Sequence, residues 1–455
     1  MAQGTITKRC GCTYLDVDRK RRQAGRNCPH LKRPGGGWSP SHGSWGYVIG
    51  ITDATGKRKQ RTQFGYATKQ DAVDALAALK SKASRGVDIT KRPTVAEFME
   101  TWLAGKAHEL KPNTHAHYGR YAVRWGAYIG RVKLDELRVQ HLTAAFEDIA
   151  DRNELIRRGR IKARPTGPSA MQRMRAMLRS CLGDAVREGL VTVNVASLVK
   201  LPSGKSPSAV VWTKGREKTW RDAMGSLVRE GRSPKQARNE APTPSSVMVW
   251  TAAHLGQFLD DVADDRLYAL WHILGTRGLR RGEVLGLQWG DVDWEHATLT
   301  IERQLVNVVG TVMEDRPKSD AGGRVIALGT EGLSVLKAHR AAQKRDRLMW
   351  GETYNTTERI FTNEYGLDLD PSWLTKQFGR LIATHDLPPI RLHDVRHTAG
   401  SLMIASGSDA KTVQATLGHA DLKLTLGTYV SLYEDVAQTS ADAVASFIPR
   451  RSKSV

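Results

Sequence analysis

The sequence predicts a multidomain, mainly α fold with small β-sheets: a small N-terminal β-sheet plus helix, an all-α middle domain and an α+β C-terminal domain. Three observations predict it. A length of 455 residues suffices for about three domains, each able to bury its own core. Apolar residues recur at helical spacing through much of the middle and end of the chain, whereas strand-like runs are short and few. Loops rich in Gly, Pro and Ser, such as RPGGGWSPSHG and LPSGKSPS, separate these regions.

Taken in order, WGYVIGIT reads as a strand, DATGK as a turn and RKQRTQF as a second strand within a first domain of residues 1–90. Thr68 and Asp71 resemble a capping box that opens a helix through Ala72, Leu76 and Leu79. Residues 93–202 read as all-helical. There Thr94 and Glu97 form another capping box, and Val95, Phe98, Met99, Trp102 and Leu103 follow the i, i+3, i+4, i+7, i+8 pattern of a one-sided helix. In MQRMRAMLRSCLGDAVREGL, Met174, Met177, Leu178, Cys181 and Leu182 read as core, and Cys181 as inert. Residues 203–249 read as an extended linker or insertion containing one short helix; VVWT at 210–213 recurs as MVWT at 248–251, but two four-residue matches do not make a repeat. The last domain, 250–447, opens with helices, passes through the strand-like ATLTIERQLVNVVG and GRVIAL, and returns to helices before a basic tail, 448–455.

Charge narrows the function. Sixty-nine Lys and Arg against 47 Asp and Glu give a formal charge of +22, and residues 1–62 hold 13 of the cations against 3 acids. A polyanionic partner is expected, with its electrostatic grip at the front. Four cysteines cannot form a disulfide framework for this length, no stretch of eighteen apolar residues suggests a membrane span, and the start lacks the apolar core of a signal peptide. The expected location is the cytoplasm, or the nucleoid if the polyanion is DNA. Cys10, Cys12 and Cys28 with His30 or His42 contain the donors of a zinc site, but CxC with a distant CPH departs from zinc-ribbon spacing and reads against one, leaving metal binding open.

Several motifs are weak alone and stronger together. Arg280 and Glu283 stand at i, i+3 on an expected helix, an arrangement that is ordinarily a surface salt bridge. Lys318 lies beside an SDAGG turn, where a lysine is ordinarily solvated. LHDVRH puts His393 and Arg396 on one helical face, while Asp394 and His397 suit local hydrogen bonding. ATLGHADLKLTLGTYV supplies His419 after a helix-ending Gly418, and then Tyr429. The chemical complement of this set is a phosphodiester. Arg280 and Arg396 match the non-bridging oxygens of a charged transition state. Tyr429 suits the nucleophile, His393 a proton acceptor or orienter, Lys318 the general acid and His419 a phosphate donor. The set needs no metal or other cofactor, and His393 and His419 lack a third ligand at metal spacing. Tyr433 is the lesser candidate nucleophile.

GLRRGEVLGLQW, PKS, LHDVRHTAGSLMIASG, LGHADLKLT and TYV, in this order and spacing over nearly two hundred residues, resemble the catalytic domain of the tyrosine recombinases, the phage integrase family of phages and integrative mobile elements. The resemblance implies site-specific integration or excision through a 3′-phosphotyrosyl link, without ATP, cofactor or metal. It also implies double-stranded DNA attachment sites, a homotetramer on DNA, and an excisionase or DNA-bending accessory protein as partners. Residues 93–202 resemble the family's core-binding domain and the basic front its arm-binding domain. Two departures are visible: Val430 and Ser431 follow the tyrosine where many relatives place a histidine at the second position, and 203–249 exceeds the usual linker. A type IB topoisomerase shares the arginines, lysine and tyrosine, and a DNA-binding regulator without catalysis is a further alternative; the integrase-like front argues against the first and the filled set of six positions against the second.

Overall fold

The computed structural model describes residues 4–17, 19–52, 58–84, 92–202, 207–316 and 323–418, and the chain divides into two compact units, residues 1–204 and 205–455. In the first unit, β1 (Gly4–Leu15), β2 (Arg21–Gly25), β3 (Ser44–Thr52) and β4 (Arg58–Tyr66) form an antiparallel sheet in the order β2-β1-β3-β4. Tyr47 and Ile49 alternate inward from β3 and close a small core with Leu76 and Leu79 of α1 (Lys69–Ser84). Thr68 and Asp71 exchange reciprocal 3.1 Å bonds at the start of α1, as their spacing predicts.

β1 and β2 have no counterpart in the sequence reading, because the inward face of β1 is not an apolar series. It carries Lys8, Cys10 and Cys12. Lys8 is only 1% exposed; its ammonium donates to the Ser39 carbonyl and lies 5.6 Å from the Trp45 ring centroid. Cys10, Cys12, Cys28 and His42, whose spacing reads against a metal site, nevertheless bring their ligand atoms within 4.8 Å of one another.

The remainder of this unit is helical: α2 (Val95–Gly105), α3 (Pro112–Ile129), α4 (Val139–Arg157), α5 (Pro168–Arg187) and α6 (Val195–Leu198). The capping box at α2 is present, with Glu97 accepting from the Thr94 backbone at 2.6 Å and Thr94 Oγ1 accepting from the Glu97 backbone at 3.3 Å. α5 delivers Met174, Met177, Leu178, Cys181 and Leu182 to the core, where burial pushes the Cys181 thiol up to about 12 and keeps it protonated.

In the second unit, the segment expected as an extended linker or insertion with one short helix carries two helices and a pair of short strands. β5 (Val210–Val211) pairs in parallel with β6 (Met248–Val249), and α7 (Lys214–Arg229) and α8 (Pro234–Glu240) lie between them. The recurring VVWT and MVWT are therefore neighbours in space. Each ends on a fully buried tryptophan and a threonine that caps the next helix: Trp212 and Thr213 before α7, Trp250 and Thr251 before α9 (Ala252–Asp261). Their indole N–H groups donate to the adjacent carbonyls of Pro389 and Pro388 at 3.1 and 2.9 Å. Polar, proline-containing sequence concealed this packing, because the few apolar residues are anchored by distant partners.

α10 (Tyr268–Arg277) is apolar around most of its circumference and runs through the centre of the same core. α11 (Arg281–Gly286) comes next. Two small antiparallel sheets succeed it: β7 (Val292–Asp293), β8 (Thr298–Ile301) and β11 (Arg324–Ala327) in the order β11-β8-β7, and the hairpin β9 (Gln304–Val308) with β10 (Thr311–Asp315). The described part closes with α12 (Gly329–Trp350), α13 (Pro371–Thr384), α14 (Leu392–Ala405) and α15 (Ala410–Leu417). Among the described residues no helix is long and apolar enough to cross a membrane.

Because Trp212 is a core residue of the second unit, Trp212→Ala is expected to cost about 3–5 kcal/mol in urea unfolding. An unchanged midpoint and slope would show that residues 207–249 are an appendage and not part of that core.

Candidate active site

The site is assembled where α10, α11, α14 and α15 end or begin. α10 terminates at Gly278 in the left-handed region (φ +65), where an added Cβ would meet the Leu417 side chain at 2.7 Å. Glycine is needed there for both conformation and space. The Gly278 carbonyl accepts from Arg396 Nη1 at 2.8 Å.

Arg280 and Glu283 are not two residues on a helix surface, as their spacing suggests. Arg280 is the N-cap of α11, and the Glu283 carboxylate reaches back to its backbone N–H at 2.9 Å and to its Nη1 at 2.5 Å. The same carboxylate accepts from Arg324 Nη2 at 2.9 Å. Glu283 is 1% exposed. Burial alone would raise its pKa, but the Arg324 guanidinium and then Arg280 outweigh it and hold the carboxyl at about 2.

The end of α15 completes the arrangement. Thr416 O accepts from Arg324 Nε at 2.8 Å, Leu417 O from Arg396 Nη2, and Gly418 O from Arg280 Nη2 at 3.0 Å. Three arginines from three separate elements thus meet three consecutive carbonyls. Arg396 is 2% exposed, whereas the Arg280 side chain keeps 38% of its surface open. Arg324 gives only a faint signal in the sequence, one cation at the head of the strand-like RVIA.

His393 stands one turn before Arg396 on α14, with part of its surface open and the rest closely surrounded by protein. Desolvation, then the charges of His397 and Arg396, push its pKa down to about 4, so the imidazole is neutral near pH 7. Asp394 serves local bonding as expected, accepting from the backbone N–H, Nε and Nη2 of Arg391 at 3.1, 2.8 and 2.7 Å. His397 differs from expectation: its buried Nδ1 has no hydrogen-bond partner among the described residues. Lys318, His419, Tyr429 and Tyr433 lie outside the described residues. Lys318 falls between β10 and β11, which pair in different sheets and so do not form one hairpin, and His419 directly succeeds the arginine-bound Gly418 in the chain.

Chemically, the cluster carries more cation than carboxylate. Each guanidinium has five donors in a fixed plane, so binding a carbonyl does not exhaust it. A multi-oxygen anion at the open edge of Arg280 fits this composition, with a neutral imidazole one turn from Arg396.

Residues 252–435 match the phage integrase family and residues 41–83 an arm DNA-binding domain. A XerC-like tyrosine recombinase of Caldanaerobacter subterraneus subsp. tengcongensis is 31% identical over 178 residues, 36% of this chain and 45% of the relative. The ICEBs1 integrase of Bacillus subtilis is 27% identical over 44% of this chain and 55% of its own. The matched region thus spans about half the length of these relatives. Among solved structures, the Tn1549 transposon integrase in complex with a circular intermediate DNA has the same fold, with a TM-score of 0.51 at 16% identity over 76% of this chain and 99% of that one.

Two predictions arise from the titrating groups. The depressed Glu283 carboxyl contributes its stability fully above its ordinary value of 4.5 and loses it as pH falls toward about 2. Glu283→Gln should therefore flatten the acid limb of stability between these values and, by taking the carboxylate charge away from Arg324 and Arg280, cost about 3–5 kcal/mol at pH 7. Urea midpoints equal to wild type across that range would refute the pairing. In a histidine NMR titration of the free protein, His393 should remain neutral down to about pH 4; a midpoint near the ordinary histidine value would contradict its cationic, desolvated surroundings.

Proposed function

We propose that this chain, whose residues 252–435 match the phage integrase family, is a site-specific DNA recombinase, an integrase that cuts and rejoins strands to integrate or excise a mobile element. The observation that carries this reading is the turn from Thr416 to Gly418, where Arg324, Arg396 and Arg280 are fixed by consecutive carbonyls immediately before His419. Phosphoryl transfer builds charge on non-bridging oxygens, and guanidiniums positioned before the reaction stabilise it without reorganising. Support also comes from the relatives named as recombinase and integrase and from the DNA complex of the Tn1549 integrase, whose fold this chain shares.

In the proposed reaction, Arg280 and Arg396 hold the scissile phosphate, and Tyr429 attacks phosphorus as its phenol proton passes to a neutral acceptor, His393 being the candidate. A Tyr429–phosphorus bond forms at the 3′ side and the bond to the 5′ oxygen breaks. Lys318 protonates that leaving oxygen, while His419 donates to the phosphate. Attack by the 5′ hydroxyl of a partner strand reverses the steps, so the phosphodiester is conserved without ATP. Residues 1–90 act as the arm-binding domain, 93–202 as the core-binding domain and 250–447 as the catalytic domain, with the folded part of 203–249 adding to the latter's core and 448–455 forming a basic tail. Four protomers assemble on two attachment sites at the nucleoid in the cytoplasm, with an excisionase or DNA-bending protein setting direction.

A nicked attachment-site duplex should yield an SDS-resistant protein–DNA adduct, and Tyr429→Phe should abolish it while retaining DNA binding. Adduct persisting in that variant would overturn the assignment of Tyr429. Relaxation of any plasmid without recombinant products would instead indicate a topoisomerase.

A further inference from the structure

The N-terminal sheet carries a second constellation of reactive side chains. β1 presents Cys10 and Cys12 two residues apart on one face, Cys28 precedes the short helical turn Pro29–Leu31, and His42 stands just before β3. Gly43 (φ +77) brings the chain so close to β1 that an added Cβ would meet the Arg9 carbonyl at 2.7 Å and the Leu31 side chain at 2.6 Å. That approach delivers His42 to the thiols. The Sγ atoms of Cys12 and Cys28 each lie 3.4 Å from His42 Nε2, and all four ligand atoms fall within 4.8 Å of one another.

We propose that Cys10, Cys12, Cys28 and His42 bind one zinc ion as a structural site. A tetrahedral zinc with bonds of about 2.3 Å to sulfur and about 2.0–2.1 Å to nitrogen separates its ligand atoms by about 3.5–3.8 Å. The two sulfur–nitrogen distances stand close to that edge. Three thiols and an imidazole select a soft or borderline transition metal over magnesium or calcium. A disulfide suits the set less well, because any pairing of three cysteines leaves one thiol and the imidazole facing each other unused. Four protein ligands fill the coordination sphere and leave no position for a substrate, which makes the site structural.

Packing gives the same answer. Among the described residues, the apolar cluster here consists of Cys10, Cys28 and Leu31, with Cys12 and Ala24 packed against it, and the Trp38 ring meets Trp45 nearby at 5.5 Å. Such a cluster buries little apolar surface between the β1–β2 hairpin and residues 26–43, and small lobes of this kind ordinarily rely on a metal or a covalent staple. The zinc would lock to β1 a strand, a helical turn and a loop that share little other core.

The full chain, purified under reducing conditions without chelator, should contain about one zinc per molecule by plasma mass spectrometry. Exchange with Co(II) should give the thiolate charge-transfer and visible bands of a tetrahedral site. Cys10, Cys12 and Cys28 should resist alkylation until a chelator is added, in the wild-type chain itself, and His42→Ala and Cys28→Ser should each bring bound zinc below about a fifth of an equivalent. Wild-type protein that lacks zinc, shows no tetrahedral Co(II) spectrum after anaerobic reconstitution and exposes all three thiols would overturn the proposal. A disulfide between two of the three in that reduced preparation would overturn it equally.

Discussion

The candidate site depends on how one helix ends. The last carbonyls of a helix have no partner within it and carry the negative end of its dipole. At α15 those of Thr416, Leu417 and Gly418 are each met by an arginine from elsewhere in the chain: Arg324 from β11, Arg396 from α14 and Arg280 from the N-cap of α11. A carbonyl orients a guanidinium without cancelling its charge. Carboxylates would have gathered the same side chains and neutralised them, whereas here Glu283 alone among these contacts supplies full negative charge, shared between Arg280 and Arg324. The result is a cationic cluster whose geometry is set before any ligand arrives.

Burying Arg396 and Glu283 is costly unless their polar atoms are satisfied, and each is tied to more than one element. The same arrangement recurs beside the cluster. Arg359 donates to the Gly286 carbonyl at 2.8 Å and pairs with Glu314 at 2.7 Å, linking the end of α11 to β10. Arg303 reaches Asp291 at 2.5 Å. Both ends of α11 are thus held by arginine contacts, so the helix that begins at Arg280 cannot shift without breaking bonds on either side.

How much could be read in the sequence depends on how local each feature is. Thr68 with Asp71 and Thr94 with Glu97 are contacts over three residues, and their bonds form where the spacing places them. The face of α5 was readable for the same reason. Gly278 meeting Leu417, Arg324 meeting Thr416 and Trp212 meeting Pro389 span scores of residues and leave no periodic trace. For the front sheet the difficulty was chemical: a strand whose inward side chains are Lys8, Cys10 and Cys12 does not announce a buried face. Arg280 stands at a helix start and not on a helix surface, a distinction that i, i+3 spacing cannot make because it describes both equally well.

The parallel pairing of Val210–Val211 with Met248–Val249 has a consequence of its own. Parallel neighbours require a crossover, and α7 with α8 supplies it, so the chain departs and returns through doors about 4.8 Å apart. An excursion closed in this way is nevertheless knitted into the domain it re-enters, since Trp220 and Ala241 join the core that holds Trp250 and Arg238 donates to the Ile382 carbonyl at 3.0 Å, so the detour and the helices it returns to stand or fall together.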